Sequence, residues 1–444
     1  MSWKARVVCL TCGLVLTLQA AAGAQEKELP QYSDSMYNTL AAADSKDTVA
    51  PGTKITLANW RQYQQFLPIG MRLMLEGKSV FKYPADFEMD VGPTTPLPLP
   101  KKFRDDTEKY NRQVTLTQLS SGGYTIAGYA AGAPFPDPSG PTAGTELMYD
   151  NYYTYQPYLG AIEIPRSWSI DHFLSQTGNV VACVHFKMTH LSEPNMPVNQ
   201  PNNDGLYLTE NCEVLAPEQS RYVTSLQLFY NDPARVQETY AFIPALRRSL
   251  RLSASARCAP FAGGDFTNDD FRNGMNLQPP IFQAKFLGEK KVLTMIFDDF
   301  AFFDVKNLYY PSMMPRPVAG KWQLRNMYLY EVHRLPTQKV GYCYGSRVVY
   351  LDKDQLDPMW LDLYDQNLKY WKFDQNLYKA TRIPETGEVA FASGTTAGWY
   401  TMVDLQNEHE SVAWIRAFFG GDVPAKFRDY TRWGTPGGLS QIMQ

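Results

Sequence analysis

The chain has 444 residues, a formal net charge of -3 and a hydrophobic fraction of 44%. The balanced charge offers no basic surface for nucleic acid, while the apolar content is sufficient for a large core. Aromatic residues make up 14% of the chain, often at alternate positions, as in sheet-rich proteins.

The N-terminus has the pattern of an export signal. Lys4 and Arg6 precede an apolar run over 7–18, and small residues follow at Ala22-Gly23-Ala24. The run is shorter than the roughly 20 residues that span a bilayer. We therefore predict a signal peptide over 1–24, cleavage near Ala24 and a soluble product in a bacterial periplasm. Residues 25–57, which lack a sustained period, are predicted to be a loosely held N-terminal arm.

Cysteine usage agrees with an oxidising compartment. Four of the six cysteines lie beyond the predicted signal, namely Cys183, Cys212, Cys258 and Cys343. An even number of widely spaced cysteines favours disulfides, and four cysteines allow three connectivities. We favour Cys183 with Cys212, which flank a possible long hairpin, and hence Cys258 with Cys343.

The first half of the chain contains the predicted helices. Apolar residues at three- and four-residue steps predict a helix over 60–75 that Pro68 bends or divides. A second helix is predicted over 101–119. The glycine- and proline-rich segment 122–144 is too irregular for either type of element. A short helix over 146–158 carries five tyrosines, which either form a lid over a ligand or pack onto the sheet.

From residue 162 the apolar period changes to two, which predicts β-strands. The predicted strands are 179–188, 221–230, 237–242, 246–257, 281–287, 291–297, 321–333 and 342–352. Leucine and alanine alternate with arginine and serine over 246–257, so that strand has one polar face. The strand 321–333 is apolar on both faces, as expected where both sides of a sheet are covered.

Several short motifs occur in an order that resembles one protein family. They are Gly-Ala-Pro-Phe-Pro-Asp-Pro at 132–138, the arginines at 247, 248 and 251, Asp269-Asp270-Phe271, Arg-Val-Val-Tyr-Leu-Asp at 347–352, Tyr364-Asp365 and Trp371-Lys372. From about residue 58 onward, the chain resembles exported proteobacterial proteins of the DUF1329 type. That family of unknown function is related in fold to LolA and LolB, the carriers that sort outer-membrane lipoproteins.

The resemblance implies a mainly β fold with some α structure. The expected architecture is an incomplete antiparallel β-barrel around a hydrophobic cavity, a LolA/LolB-like half-barrel with a helical lid or plug and an extended N-terminal segment. The domain would comprise residues 58–444. Two features depart from the family pattern: Thr294-Met295-Ile296 replaces a usual Pro-Tyr-Asn, and Leu368 stands where a turn glycine is usual. We expect the neighbouring Asn367 to supply the positive φ angle.

No catalytic motif is recognisable, and we expect no enzymatic activity, no cofactor and no metal. His185 and His190 are spaced to lie on opposite faces of a sheet. Acidic residues cluster at Asp269-Asp270, 298–299 and 352–354. These clusters are typical of turns, and the alternatives are acid–base catalysis or calcium binding.

Candidate ligand contacts follow from the predicted strands. The side chains predicted to line a hydrophobic cavity are Trp322, Leu324, Tyr328, Tyr330, Tyr350 and Phe186. Arg247, Arg251 and Arg257 form a polar row that either recognises an anionic head group at the cavity mouth or pairs with neighbouring acids on a solvated face.

The function that the sequence favours is non-catalytic carriage of a lipid, a lipoprotein acyl chain or another hydrophobic compound. The resemblance implies that such a carrier is accessory to an exporter of the resistance-nodulation-division (RND) type, with an inner-membrane exporter and an outer-membrane acceptor as partners. Two alternatives stay open. One is a hydrolase that uses cleft carboxylates on a hydrophobic substrate, and the other is a structural component of the envelope.

Overall fold

A computed structural model describes residues 28–170, 176–188, 204–253, 257–271, 278–297, 315–339, 342–378, 380–383, 386–390 and 398–442. The predicted signal peptide, His190 and the acidic pair at 298–299 lie outside these ranges, so the export signal stays a prediction. Within the ranges, no helix combines the length and the hydropathy that crossing a membrane requires.

The strands, numbered β1 to β19 along the chain, form one large sheet and three small ones. The small antiparallel pairs are β1 (Lys54–Thr56) with β2 (Glu88–Asp90), β3 (Thr115–Gln118) with β4 (Tyr124–Ala127), and β16 (Thr381–Arg382) with β17 (Val389–Ala390). The large sheet has the spatial order β11 (Phe282–Phe297), β12 (Gly320–Arg334), β13 (Ser346–Asp352), β14 (Pro358–Tyr364), β15 (Tyr370–Tyr378), β18 (Gly398–Asp404), β19 (His409–Phe419), β5 (Leu159–Ile170), β6 (Gln176–Lys187), β7 (Leu206–Ala216), β8 (Thr224–Tyr230), β9 (Glu238–Ile243) and β10 (Arg248–Arg251). Neighbours in this order pair antiparallel, and one parallel bridge joins Ile296 to Tyr378.

The large sheet curls around helix α4 (Ala143–Tyr152). At one end of the helix, Gly144 approaches β11 so closely that a Cβ atom would lie 2.7 Å from the backbone of Ala284. At the other end, Tyr152 stacks on Tyr207 of β7 with ring centroids 6.1 Å apart. Because one helix touches strands far apart in the sheet order, the sheet must wrap around it. Among the described residues the terminal strands β10 and β11 do not pair, so the barrel is open. This confirms the predicted half-barrel with a helical plug.

We call the face that meets α4 the inner face and the opposite one the outer face. The outer face is covered by both ends of the chain. The N-terminal part, with helices α1 (Asp34–Tyr37), α2 (Ile69–Leu75) and α3 (Lys101–Tyr110), reaches β14 through Tyr37 and Gly70, which hydrogen-bond to Asp362 at 3.0 and 3.2 Å. The C-terminal helices α5 (Tyr430–Trp433) and α6 (Pro436–Leu439) cover β6, where Tyr430 packs on Phe186.

The arm is more firmly attached than its composition suggested. Tyr37 is completely buried, and its hydroxyl also contacts that of Tyr364 at 2.6 Å. Leu29, Leu40, Val49 and Ile55 of the arm are buried in the same core. The prediction of a loosely held segment is therefore wrong, because these apolar side chains and Tyr37 anchor the arm.

The predicted helices are partly confirmed. Residues 60–66 form a 3₁₀ helix and α2 begins at Ile69, so Pro68 divides the predicted helix 60–75. The helix predicted over 101–119 ends at Tyr110. Beyond it, β-branched residues at 114, 115 and 117 favour the strand β3.

Three strand-level details differ from expectation. Residues 281–287 and 291–297 belong to one strand, β11, whose pairing with β12 is irregular between Phe286 and Gly288. In the segment 246–257 only β10 is a described strand. The positive φ near the turn after β14 falls on Leu368, at 60°, and not on Asn367. Asn367 instead donates its backbone N–H to Asp365, which fixes the turn around the leucine.

Both favoured disulfides are present. Cys183 and Cys212 lie directly opposite each other on β6 and β7, and Cys258 is joined to Cys343. The first pair closes the hairpin from which the connectivity was inferred, and the second ties a loop to the start of β13.

Candidate functional site

A cleft of about 1110 Å³, counting the part open to solvent, lies on the inner face of the sheet. Its floor is formed by six adjacent strands from β15 through β18, β19, β5 and β6 to β7. Most of the floor is apolar, and the side chains that form it include Ile162, Ile164, Val181, Ala413, Ile415 and the disulfide between Cys183 and Cys212. The cleft is therefore predominantly apolar.

Residues 257–271, which we call the cover segment, cross the inner face above this floor. Phe261, Phe266 and Phe271 of the segment line the cleft. The rings of Phe261 and Phe271 meet edge to face with centroids 5.2 Å apart. The cover segment thus adds an aromatic wall to the aliphatic floor.

Both ends of the cover segment are tied to β13 and the residues before it. Its Cys258 forms the disulfide with Cys343. Asp270 Oδ1 lies 3.2 Å from Arg347 Nη1, and Asp270 Oδ2 accepts a hydrogen bond from Tyr344 at 2.8 Å. Arg347 is fully buried. A buried charge of this kind requires its ionic partner, so the disulfide fixes one end of the segment and the ion pair fixes the other.

Between its ends, the cover segment is tied to β19 and β8. Asp265 Oδ2 accepts a hydrogen bond from Ser411 at 2.8 Å and lies 2.6 Å from Nδ1 of His409, both on β19. Ser225 of β8 contacts Asn268 at 3.3 Å. The segment is consequently pinned across the inner face from β13 to β8.

A small polar cluster interrupts the apolar cleft. Asp374 and Asn376 project from β15 on the same face, two residues apart, and Gln156 follows α4. All three side chains are at most 2% exposed. Asn376 Nδ2 donates to Asp374 Oδ2 at 3.3 Å. Burial, reinforced by the charge of nearby Asp270, raises the pKa of Asp374 well above its usual value.

The side chains predicted to line a cavity lie elsewhere, and none of them lines this cleft. Three of them pack against other side chains: Trp322 on Trp360, Tyr328 on Phe286, and Phe186 on Tyr430 of α5. Two form hydrogen bonds, Tyr330 with Asn151 of α4 and Tyr350 with Asp362. Leu324 is half-buried beside the main core. The strand register puts Tyr330 and Tyr350 on opposite faces, because Tyr350 stands opposite Leu329. Ligand contact by these six stays a prediction.

The three arginines separate into two environments. Arg251 and Arg257 line a second cleft of about 760 Å³ together with Arg334 and Asp269. Arg251 pairs with Glu238 at 3.2 Å, and Arg257 pairs with Asp269 at 2.5 Å. Arg247 is exposed at the end of a 3₁₀ turn, away from this cleft. The structure therefore brings two of the three together, each already paired with a carboxylate.

The adjacent acids of the cover segment have structural partners. Asp270 Oδ2 also accepts hydrogen bonds from the backbone N–H and the hydroxyl of Thr267, which form a capping box. In the 352–354 cluster, Asp352 and Asp354 pair with Arg325. Over the described ranges no group of three or more His, Cys, Asp or Glu side chains is placed to hold a metal ion.

Sequence reasoning missed the residues that form the cleft. The sequence around Asp374 and Asn376 is a polar run, Asp374-Gln375-Asn376, between Phe373 and Leu377, and only the structure shows that this run is buried. The cover segment was visible only as the Asp269-Asp270-Phe271 motif. Nothing in the local pattern indicated that this motif crosses the sheet.

Comparisons with known proteins give one broad sequence match and several similar folds. The family model described as "Protein of unknown function (DUF1329)" matches residues 54–418. A DUF1329 family protein from Desulfovibrio piger is 12% identical, covering 66% of this chain and 96% of its own, with a TM-score of 0.44. A LolA superfamily protein from Nitrosomonas europaea is 12% identical, covering 65% of this chain and 98% of its own, with a TM-score of 0.36. No curated protein matches the sequence.

Proposed function

We propose, from the premise that the chain belongs to the DUF1329 family, that it is a non-catalytic binding protein for a lipid, a lipoprotein acyl chain or another hydrophobic compound. The observation that carries the proposal is the cleft on the inner face, with an aliphatic floor and an aromatic cover. Each methylene that moves from water into such a site gains about 0.8 kcal/mol, so an alkyl chain of moderate length can be held without specific polar contacts.

The setting proposed for this function is the periplasm. The two disulfides are compatible with an exported protein. Residues 58–444 would form the carrying domain behind a leader at 1–24 and an arm at 25–57. An RND-type exporter in the inner membrane and an acceptor at the outer membrane would be the partners that load and unload the cargo.

The hydrolase alternative is less well supported. Asp269 is paired with Arg257, and both oxygens of Asp270 already interact with Arg347, Tyr344 or Thr267. A nucleophile or general base must instead reach a substrate atom directly. These carboxylates hold the cover segment, which is a sufficient reason for their presence.

The proposal is tested by filling the cleft. Ala413→Phe places a ring on the floor, and Ala85→Phe makes the same change at an exposed position outside the cleft. We expect the affinity for the apolar fluorescent probe N-phenyl-naphthylamine to fall at least tenfold with Ala413→Phe and to stay unchanged with Ala85→Phe.

Extraction of the protein purified from its native envelope, followed by lipid mass spectrometry, supplies a second readout. A hydrophobic compound that co-purifies with the unchanged protein and is depleted in Ala413→Phe supports carriage. Probe binding that is insensitive to Ala413→Phe, with no co-purifying hydrophobe, would exclude this cleft as the binding site.

A further inference from the structure

The polar cluster of Asp374, Asn376 and Gln156 is unnecessary for a site that binds only hydrocarbon. Each side chain lines the cleft and is at most 2% exposed. Among the described residues, Asp374 Oδ1, Asn376 Oδ1 and Gln156 Oε1 have no hydrogen-bond partner. Leaving buried polar atoms unsatisfied is costly, so three such atoms along one cleft point to a ligand that satisfies them.

The existing hydrogen bonds orient the cluster. Asn376 Nδ2 donates to the backbone oxygen of Pro358 and to Asp374 Oδ2, each at 3.3 Å. This fixes the amide so that Asn376 Oδ1 is its remaining acceptor. It also occupies Asp374 Oδ2, which leaves Oδ1 as the oxygen available to a ligand.

The protonation of Asp374 determines what the cluster offers. Burial and the neighbouring Asp270 raise the pKa of Asp374, which favours its neutral form. Since Asn376 donates to Oδ2, the proton of the neutral carboxyl resides on Oδ1. The cleft then presents one O–H donor beside the amide oxygen of Asn376, and the amide oxygen of Gln156 lines the same cleft. A ligand group that both accepts and donates matches this arrangement.

We propose that the cleft selects amphiphiles whose polar end is an uncharged hydroxyl group, received by Asp374, Asn376 and Gln156 while the alkyl part lies along the apolar floor. This inference rests on the proposed carrier function and specifies its ligand class. A purely apolar ligand would leave the cluster unsatisfied, and at the cluster a charged ammonium would meet a neutral carboxyl and two amide oxygens in place of a counter-charge.

Two isomers separate the polar contribution from the apolar one. Nonanol and methyl octyl ether have the same atoms, but only the alcohol can donate a hydrogen bond. In the unchanged protein we expect nonanol to bind about tenfold more tightly by calorimetric titration, because the ether leaves the amide oxygens unsatisfied. Asp374→Leu removes the O–H donor that the oxygen of either isomer can accept from, so it should weaken the binding of both isomers and leave most of the preference for nonanol. Asp374→Asn, which keeps a donor at the site, should retain most of the affinity for both isomers.

The outcomes distinguish this inference from the proposed function. If neither isomer binds the unchanged protein, the carrier proposal itself fails for ligands of this type. If both bind with equal affinity, the cluster does not contribute to recognition and the inference is overturned. Tighter binding of nonylammonium than of nonanol also overturns it, because an ionised carboxylate of the cleft would then select the polar end of the ligand. Asp374→Asn provides a folded comparison if Asp374→Leu does not fold.

Discussion

Glu410 should make the protein less stable as the pH rises, and Glu410→Gln should remove that dependence. The side chain lies on β19, is 1% exposed and accepts one hydrogen bond, from Thr401 at 3.0 Å. Oε2 has no hydrogen-bond partner among the described residues. Burial with so little compensation raises the pKa of Glu410 to about 8.

The direction of the effect follows from proton linkage. The pKa of Glu410 is about 8 in the folded protein and 4.5 in its unperturbed state, so the folded state holds the proton more tightly. Its contribution is fully favourable below pH 4.5 and is lost as the pH rises toward 8. Between pH 4 and pH 7 the difference in pKa corresponds to about 3 kcal/mol, at roughly 1.4 kcal/mol for each pH unit beyond 4.5.

The assay is guanidinium unfolding at several pH values, followed by tryptophan fluorescence. Other buried acids titrate too, so the informative quantity is the free energy of unfolding of Glu410→Gln minus that of the unchanged protein. This difference should rise by about 3 kcal/mol from pH 4 to pH 7. Glu76→Gln, at an exposed position, is the matched control and should give a nearly constant difference. Parallel pH curves for Glu410→Gln and the unchanged protein would refute the reasoning.

Two further predictions concern the outer face and are measured by the same unfolding assay. Asp362 accepts hydrogen bonds from the hydroxyls of Tyr37, Tyr350 and Tyr370 and from a backbone N–H of α2. Asp362→Leu leaves these donors without an acceptor and should lower the free energy of unfolding by about 3 kcal/mol or more. A decrease of less than about 1 kcal/mol would contradict this account. Leu368 adopts a φ of 60°, a left-handed conformation that strains a residue with a Cβ atom. Leu368→Gly should therefore stabilise the protein by about 0.5 to 1 kcal/mol. A destabilisation would show that contacts of the leucine side chain outweigh this strain.

Much of the architecture could be predicted because it depends on local patterns. The period-two segments became strands, Pro68 divided its helix, and the hairpin position of Cys183 and Cys212 indicated their pairing. The failures have physical causes as well. The helix predicted to 119 ended early because the strand propensity of its last residues was realised in a pairing with β4.

The ligand contacts could not be predicted because the sequence does not distinguish the two faces of this sheet. In most sheets the polar alternate positions mark the solvent side. Here Phe373 faces the N-terminal segment and Asp374 faces the cleft, yet each is 1% exposed. Only the strand register assigns these two residues to their faces of the sheet. Phe373 pairs with Asp362, and Asp362 hydrogen-bonds to Gly70 of α2, so Phe373 lies on the outer face and Asp374 on the inner face. The prediction of ligand contacts relied on large aromatic side chains and therefore named Trp322 and Tyr350. Both of these side chains contact other parts of the protein instead.

The same coverage explains why the high aromatic content is poor evidence of ligand binding. The outer face is covered by the N-terminal segment and by α5 and α6, while the inner face is covered by α4 and the cover segment. A sheet buried on both sides needs large side chains on both sides, whatever its function. The more specific indication of a ligand is a polar group buried where packing alone does not require one. By that criterion Asp374 is more informative than any of the buried tryptophans, because its side chain adds a desolvation cost that a purely structural apolar residue would avoid.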